Sequence, residues 1–323
     1  MRSATAFAIG LAALLGMAAF ALSLGRYPAT LLDLFRGSDP NAAVVLLEIR
    51  APRIGAALLV GAALAAAGAA YQAILRNPLV SPDILGVSSG AALGAVLAML
   101  AGAGALAVQA GAFAGGILAV ALVYSIAGGL RRHDPLLALV LTGVIIGTLL
   151  ASLVSLLKLL ADPASQLPAI TFWLLGSLSL ATPRELAVAA LLLIAGVLPL
   201  AALRWRLDVL TLPDEEARAL GENPVLLRAV VIGAATLVTA VSVALGGIIG
   251  WIGLLVPHAA RLMVGPAFAR LLPLSMLLGA AFLLAVDTLC RSVAQLELPP
   301  GVVTALLGTP LFLWLFASSR RTW

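Results

Sequence analysis

The side chains able to do chemistry are few and far apart. The 323 residues hold two histidines, His133 and His258, one cysteine, Cys290, and one lysine, Lys158. A lone cysteine gives no disulfide within the chain and no cysteine-based metal centre. His258 follows Pro257 in an apolar run and reads as a structural histidine, so no metal ligand and no catalytic residue is assigned. No glycine precedes Lys158, so the phosphate-binding P-loop is absent and the chain cannot hydrolyse ATP through that motif. What remains is recognition chemistry. Arg50 and Arg53 lie either side of Pro52, and Arg291 follows Asp287 at the helical pairing distance of four. Arginine grips carboxylates with a planar two-pronged fork. Ser88 and Ser89 bring hydroxyls just past a proline-rich stretch, and Asp214, Glu215 and Glu216 form an acidic run.

The elements that must position these groups are membrane spans. The chain is 63% hydrophobic and 10% charged, whereas a soluble protein carries about a quarter charged residues. Its net charge of +5 is not a nucleic-acid signal, because aromatics are only 5% and the basic residues sit between apolar runs. Met1 to Leu24 reads as a first transmembrane helix, since its apolar run is too long for a signal peptide. Gly25 to Ile49 reads as an outer loop with a short helix. Further spans fall near 54–74, 86–104, 108–129, 136–159, 186–203, 227–246, 248–263, 272–292 and 300–317. The expectation is an all-α polytopic membrane protein with about ten transmembrane helices and inverted-repeat halves. It forms a single transmembrane domain over 1–323, with a structured loop at about 205–227. With the amino end inside, 12 basic residues fall on inner segments and 7 on outer ones, which favours both ends inside.

The stretch from Arg50 to Gly94 organises the chain. A span of small residues ends at Arg76-Asn77-Pro78, and Pro82 follows. Proline removes a backbone donor and disfavours helix in the residue before it, so the chain breaks here between two helices. Broken backbone at membrane depth survives only where protein or a water-filled cavity covers it. The break therefore reads as the lining of a transport path. Ser88, Ser89 and Gly90 start the next helix, and two readings stand for them. They face a cavity and offer donors to a polar or anionic ligand, or their hydroxyls bond their own backbone. Val243 to Gly279 weakly repeats the pattern around Pro257, as proline-interrupted inverted repeats do in transporters. Most of the many glycines read as helix packing. Ile170 to Trp173 is too short to span and reads as an outer capping helix. In the inner loop, Pro213 to Glu216 can start a helix that Gly221 closes, and Pro224 starts the next.

These residues resemble the permease subunits of ATP-binding-cassette importers, the FecCD or cobalamin-permease family. The similarity is carried by Arg50-Ala51-Pro52-Arg53, Asn77-Pro78-Leu79, Gly86-Val87-Ser88-Ser89-Gly90-Ala91, Ala219-Leu220-Gly221, Gly250 to His258, and Glu297 to Ala305. It runs from about residue 45 to the carboxyl end. The resemblance implies a homodimer with a path along its axis, two separate ATPase subunits inside, and a soluble binding protein outside. It implies no cofactor on this chain, ATP and Mg residing on the ATPase, in a bacterial or archaeal plasma membrane. Arg50, Arg53 and Arg291 resemble the arginines that accept acidic residues of the binding protein. Glu215, Arg218, Leu220 and Gly221 resemble the coupling element that seats in the ATPase. Asn77, Pro78 and Leu79 resemble an inner gate, and Asp134 stands at the second gate position or starts a helix as its cap.

Two other functions compete with the importer. An ion-coupled secondary transporter needs ionisable groups inside its spans, and only Lys158 and Asp287 lie there, near the ends. A plain membrane anchor does not need a polar, proline-broken restart. No acidic cluster exists to hold a bare cation, so the expected cargo is a metal chelate (iron-siderophore, haem or cobalamin), with an oxyanion such as molybdate or tungstate as the alternative.

Overall fold

The computed structural model describes residues 2–25, 27, 33, 41–129, 135–179, 181–293 and 297–318, which form helices and no strand. Seven helices are long and apolar enough to cross a membrane. They are α1 (Arg2–Ser23), α2 (Val44–Ile74), α4 (Ala105–Gly129), α5 (Pro135–Leu160), α7 (Pro183–Ala202), α10 (Pro224–Gly246) and α12 (Phe268–Ser292). Three shorter apolar helices, α3 (Val87–Leu100), α11 (Ile252–Val264) and α13 (Pro300–Ser318), bring the set to ten. The remainder are α6 (Gln166–Leu174), α8 (Arg204–Val209) and α9 (Asp214–Ala219).

Proline sets several helix starts, because its fixed φ suits the first turn and its missing donor is unneeded there. Pro183 and Pro224 do this, helped by side-chain caps. Thr182 and Glu185 form a reciprocal capping box on α7, and Asn223 Oδ1 accepts from the Leu226 amide at 3.2 Å on α10.

Helix α2 forms the centre. Of its most apolar window 78% is buried, against 17% for α1. Small residues make this possible, since helices in lipid associate by close packing without a hydrophobic drive between them. A side chain at Gly61 would collide with the Gly279 carbonyl of α12, and one at Gly68 with the Gly253 backbone of α11. Gly94 lies in the same way against Gly111 of α4. Cys290 is fully buried in α12. On α5, Leu141, Ile145, Leu149 and Leu156 remain exposed, a face that suits lipid or another chain.

Three expectations change. The second span starts by Val44, ten residues earlier than read, and its first turns Val44–Arg50 are π-helical; most of the outer loop at 25–49 lies outside the described residues. The helices near 86–104 and 248–263 are shorter, at 87–100 and 252–264. In the second, residues 247–250 are not helical and Gly247 takes φ 70°, so the backbone unwinds before Pro257 is reached. A short helix does occur where one was expected near Ile170 to Trp173, as α6, with Trp173 packed in a cluster with Val108 and Val243.

Candidate functional site

Three groups of polar residues interrupt the apolar bundle. The first is at the start of α2. Arg53 Nε donates to both Asp287 oxygens at 2.9 and 3.1 Å, and its Nη1 donates to both Glu297 oxygens at 3.0 and 2.9 Å. The Asp287 side chain is wholly buried, while that of Glu297 is 46% exposed. Arg50 is 4% exposed and donates to the carbonyls of Leu22, at 2.6 Å, and Tyr27. Arg291 donates to the carbonyls of Leu24, at 3.0 Å, and Ala21. A helix end leaves carbonyls without intrahelical partners, and arginines satisfy them. The three arginines named from the sequence thus converge, and each guanidinium is engaged by this chain. The expected pairing of Asp287 with Arg291 is the looser one, at 3.8 Å; Arg53 is the closer partner.

The second group is the break after α2. Arg76 holds φ 49°, which non-glycine residues rarely adopt. Asn77 Oδ1 accepts from the Leu79 amide at 2.9 Å, a side-chain turn that shapes the loop around Pro78, and Leu79 is 48% exposed. The short 3₁₀ turn Pro82–Leu85 follows, and Gly86 at φ 76° reverses the chain into α3. The Ser88 hydroxyl donates to Asp83 Oδ1, so it bonds neither its own backbone nor open space. Asp83, exposed in this chain, escaped the sequence reading; its place just after Pro82 in a helix-starting turn was the available signal. Gly90 packs closely against the Gly115 carbonyl of α4. Ser89 is half-buried beside Gly147 of α5.

The break meets its counterpart in the other half. Gly253 packs on Gly68 and against the Pro82 ring. The buried Gln72 donates through Nε2 to the carbonyls of Val80 at 3.3 Å and Leu254 at 3.2 Å. Trp251, at φ 71°, sets its ring edge-on to Phe312 with centroids 6.3 Å apart. His258 is buried with its ring 6.0 Å from that of Phe312. Among the described residues no three His, Cys, Asp or Glu gather as a metal site. Asp134 lies outside the described residues.

The third group is the elbow α8–α9. Its two short helices both precede Gly221, joined at 210–213, and Gly221 leads straight into α10; the sequence reading had placed the turn between the short helices at Gly221. Gly221 at φ 83° stops α9, where the Glu222 amide reaches back to the Ala217 carbonyl at 3.1 Å. Glu215, Arg218, Leu220 and Gly221 are all exposed, Leu220 at 63%. Beneath them Asp214 accepts from Arg228 Nη1 at 2.8 Å and Nη2 at 2.5 Å, and from Arg76 Nη2 at 3.0 Å. The bonds from Arg228, with Arg76 beside them, hold the Asp214 carboxyl below the usual carboxylate range.

A polytopic helical bundle with two opposed helix breaks and a polar elbow defines a membrane transport permease. The chain belongs to the FecCD transport family, whose profile matches residues 11–318. A Helicobacter pylori permease named for iron chelatin transport is 42% identical over 280 residues, 87% of this chain and 84% of the relative. The molybdate import system permease MolB of Haemophilus influenzae is 41% identical over 276 residues, 85% of this chain and 81% of the relative. A solved transporter described as metal-chelate type, in an inward-facing conformation, has 39% identity and a TM-score of 0.89, covering 96% of this chain and 98% of its own.

Proposed function

We propose that this chain is the membrane-spanning subunit of an ATP-binding-cassette importer for a metal chelate: an iron-siderophore, haem or cobalamin. Two copies enclose the path. Separate ATPase subunits dock on Glu215, Arg218, Leu220 and Gly221. A soluble binding protein docks at the end that holds Arg50, Arg53 and Arg291. Both termini lie in the cytoplasm of a bacterial or archaeal cell. Asn77, Pro78 and Leu79 gate the inner mouth, and Ser89, with Ser88 held by Asp83, borders the path. The chain itself catalyses nothing and holds no cofactor.

The observation that carries this reading is the near full-length likeness to the metal-chelate type transporter. The experiment is uptake into liposomes that hold the chain with its ATPase subunits and binding protein. ATP-driven entry of iron-siderophore, haem or cobalamin is expected. Absence of uptake for every ligand overturns the reading. A second reading, oxyanion import, is favoured by the 41% identity to the molybdate permease. Calorimetry of the binding protein against haem, siderophore, cobalamin and molybdate separates the two.

A further inference from the structure

We infer that Asp214 is the positioning residue through which movement of the α8–α9 elbow reaches the loop at Asn77–Leu79, with Arg76 as the link. The inference rests on the reading of that elbow as the ATPase-coupled element.

The elbow is bonded to the starts of two spans and the end of a third. Arg228, early in α10, donates to both Asp214 oxygens. The Phe268 amide, at the start of α12, donates to Asp208 Oδ1 at 2.8 Å. Arg76, just past α2, donates from Nε to the Leu210 carbonyl at 2.9 Å and from Nη2 to Asp214 Oδ1 and the Leu212 carbonyl. The first two contacts brace the elbow against regular helix. The third reaches broken backbone.

Arg76 is suited to transmit displacement. A non-glycine residue at positive φ persists only where its surroundings hold it, and its guanidinium is held by three elbow oxygens. The Asn77 amide donates to the Gln72 carbonyl at 3.2 Å, so the loop leaves α2 in the direction that Arg76 sets. At the loop's far end Val80 is tied through Gln72 to Leu254. A shift of Asp214 therefore turns the joint at Arg76, moves residues 77–79, and is felt at the second break. A carboxylate serves both arginines because it accepts on each oxygen; an amide at 214 would face a guanidinium with a donor.

The test uses the complete transporter in liposomes, with whichever of iron-siderophore, haem, cobalamin or molybdate the wild type imports. The readout is ATP hydrolysed per ligand molecule delivered. R76Q and D214N are expected to keep ATP hydrolysis and raise that ratio about tenfold, the scale of losing charge-assisted hydrogen bonds. D214E should restore coupling, and the double variant should be no worse than R76Q. If D214N does not assemble, R76Q decides alone. A wild-type ratio in R76Q overturns the inference, as does a proportional fall of hydrolysis and import, which marks a scaffold role. If the wild type itself shows no ATP-driven import, the permease reading falls and this inference with it.

Discussion

Gly68 of α2 and Gly253 of α11 lie backbone against backbone, so the body of the second span meets the helix that restarts after the other break. The neighbouring Pro82 ring closes on the same glycine. The two discontinuities of the chain are therefore one packed unit.

That contact predicts the effect of a side chain there. Gly68→Val should lower stability by at least about 1–3 kcal/mol, because rigid backbone cannot yield to it. Gly16→Ala is the control, since nothing lies within 4 Å of the added carbon, and it should be neutral or slightly stabilising. Thermal unfolding in detergent, with monodispersity as a second readout, measures both. Equal melting of the two variants would refute the packing account.

The Arg53–Asp287 pair predicts an asymmetry. Asp287→Ala leaves a half-buried guanidinium with one acid fewer and should cost up to about 3–5 kcal/mol. The double change R53M/D287L should recover most of it, because an apolar pair incurs no desolvation cost. Glu297→Gln should barely alter stability, as exposed ion pairs contribute about 0–1 kcal/mol. It should also tighten capture of the binding protein, by up to about fivefold on that scale, because Glu297 and a docking carboxylate compete for Arg53. Weaker capture would show that Glu297 is itself part of the docking surface.

Asp214 predicts a pH window. Its folded pKa is depressed by Arg228 and then Arg76. A depressed acid contributes stability that is present above its unfolded pKa, about 3.9, and lost as pH falls through the folded value. The melting difference between wild type and D214N should be flat from about pH 5 to 8 and close below about pH 4. A difference that changes near neutrality would point to another group.

Leu220 predicts a separation of folding from docking. It is 63% exposed. Leu220→Glu should leave melting within about 0.5 kcal/mol of wild type and abolish co-purification of the ATPase subunits. Retained co-purification would move the docking surface elsewhere.

Much of the bundle was legible because its signals are local. Apolar runs give the ten helices, seven of them long enough to cross a membrane, and Pro224 and Gly221 act on their own backbone. The start of α2 was missed because Glu48 and Arg50 interrupt the apolar run while the helix continues through them. The arginines' partners were not legible for a different reason. Arg53 and Asp287 lie 234 positions apart, and composition does not state which of several acids will fold beside a given arginine. Gly90 shows the same limit: its close crossing with Gly115 of α4 joins positions that the sequence does not pair. For Asp214 the acid at a helix start was read correctly, but its two arginine partners come from other elements.

Arg50 and Arg291 fasten the tail of α1 by its main-chain oxygens at Ala21, Leu22, Leu24 and Tyr27. Every amino acid carries that oxygen. A clasp of this kind is blind to the letters it holds, so the limits on sequence here come from packing instead, at buried Ala21 and at Gly25, where an added side chain would meet the Arg50 guanidinium.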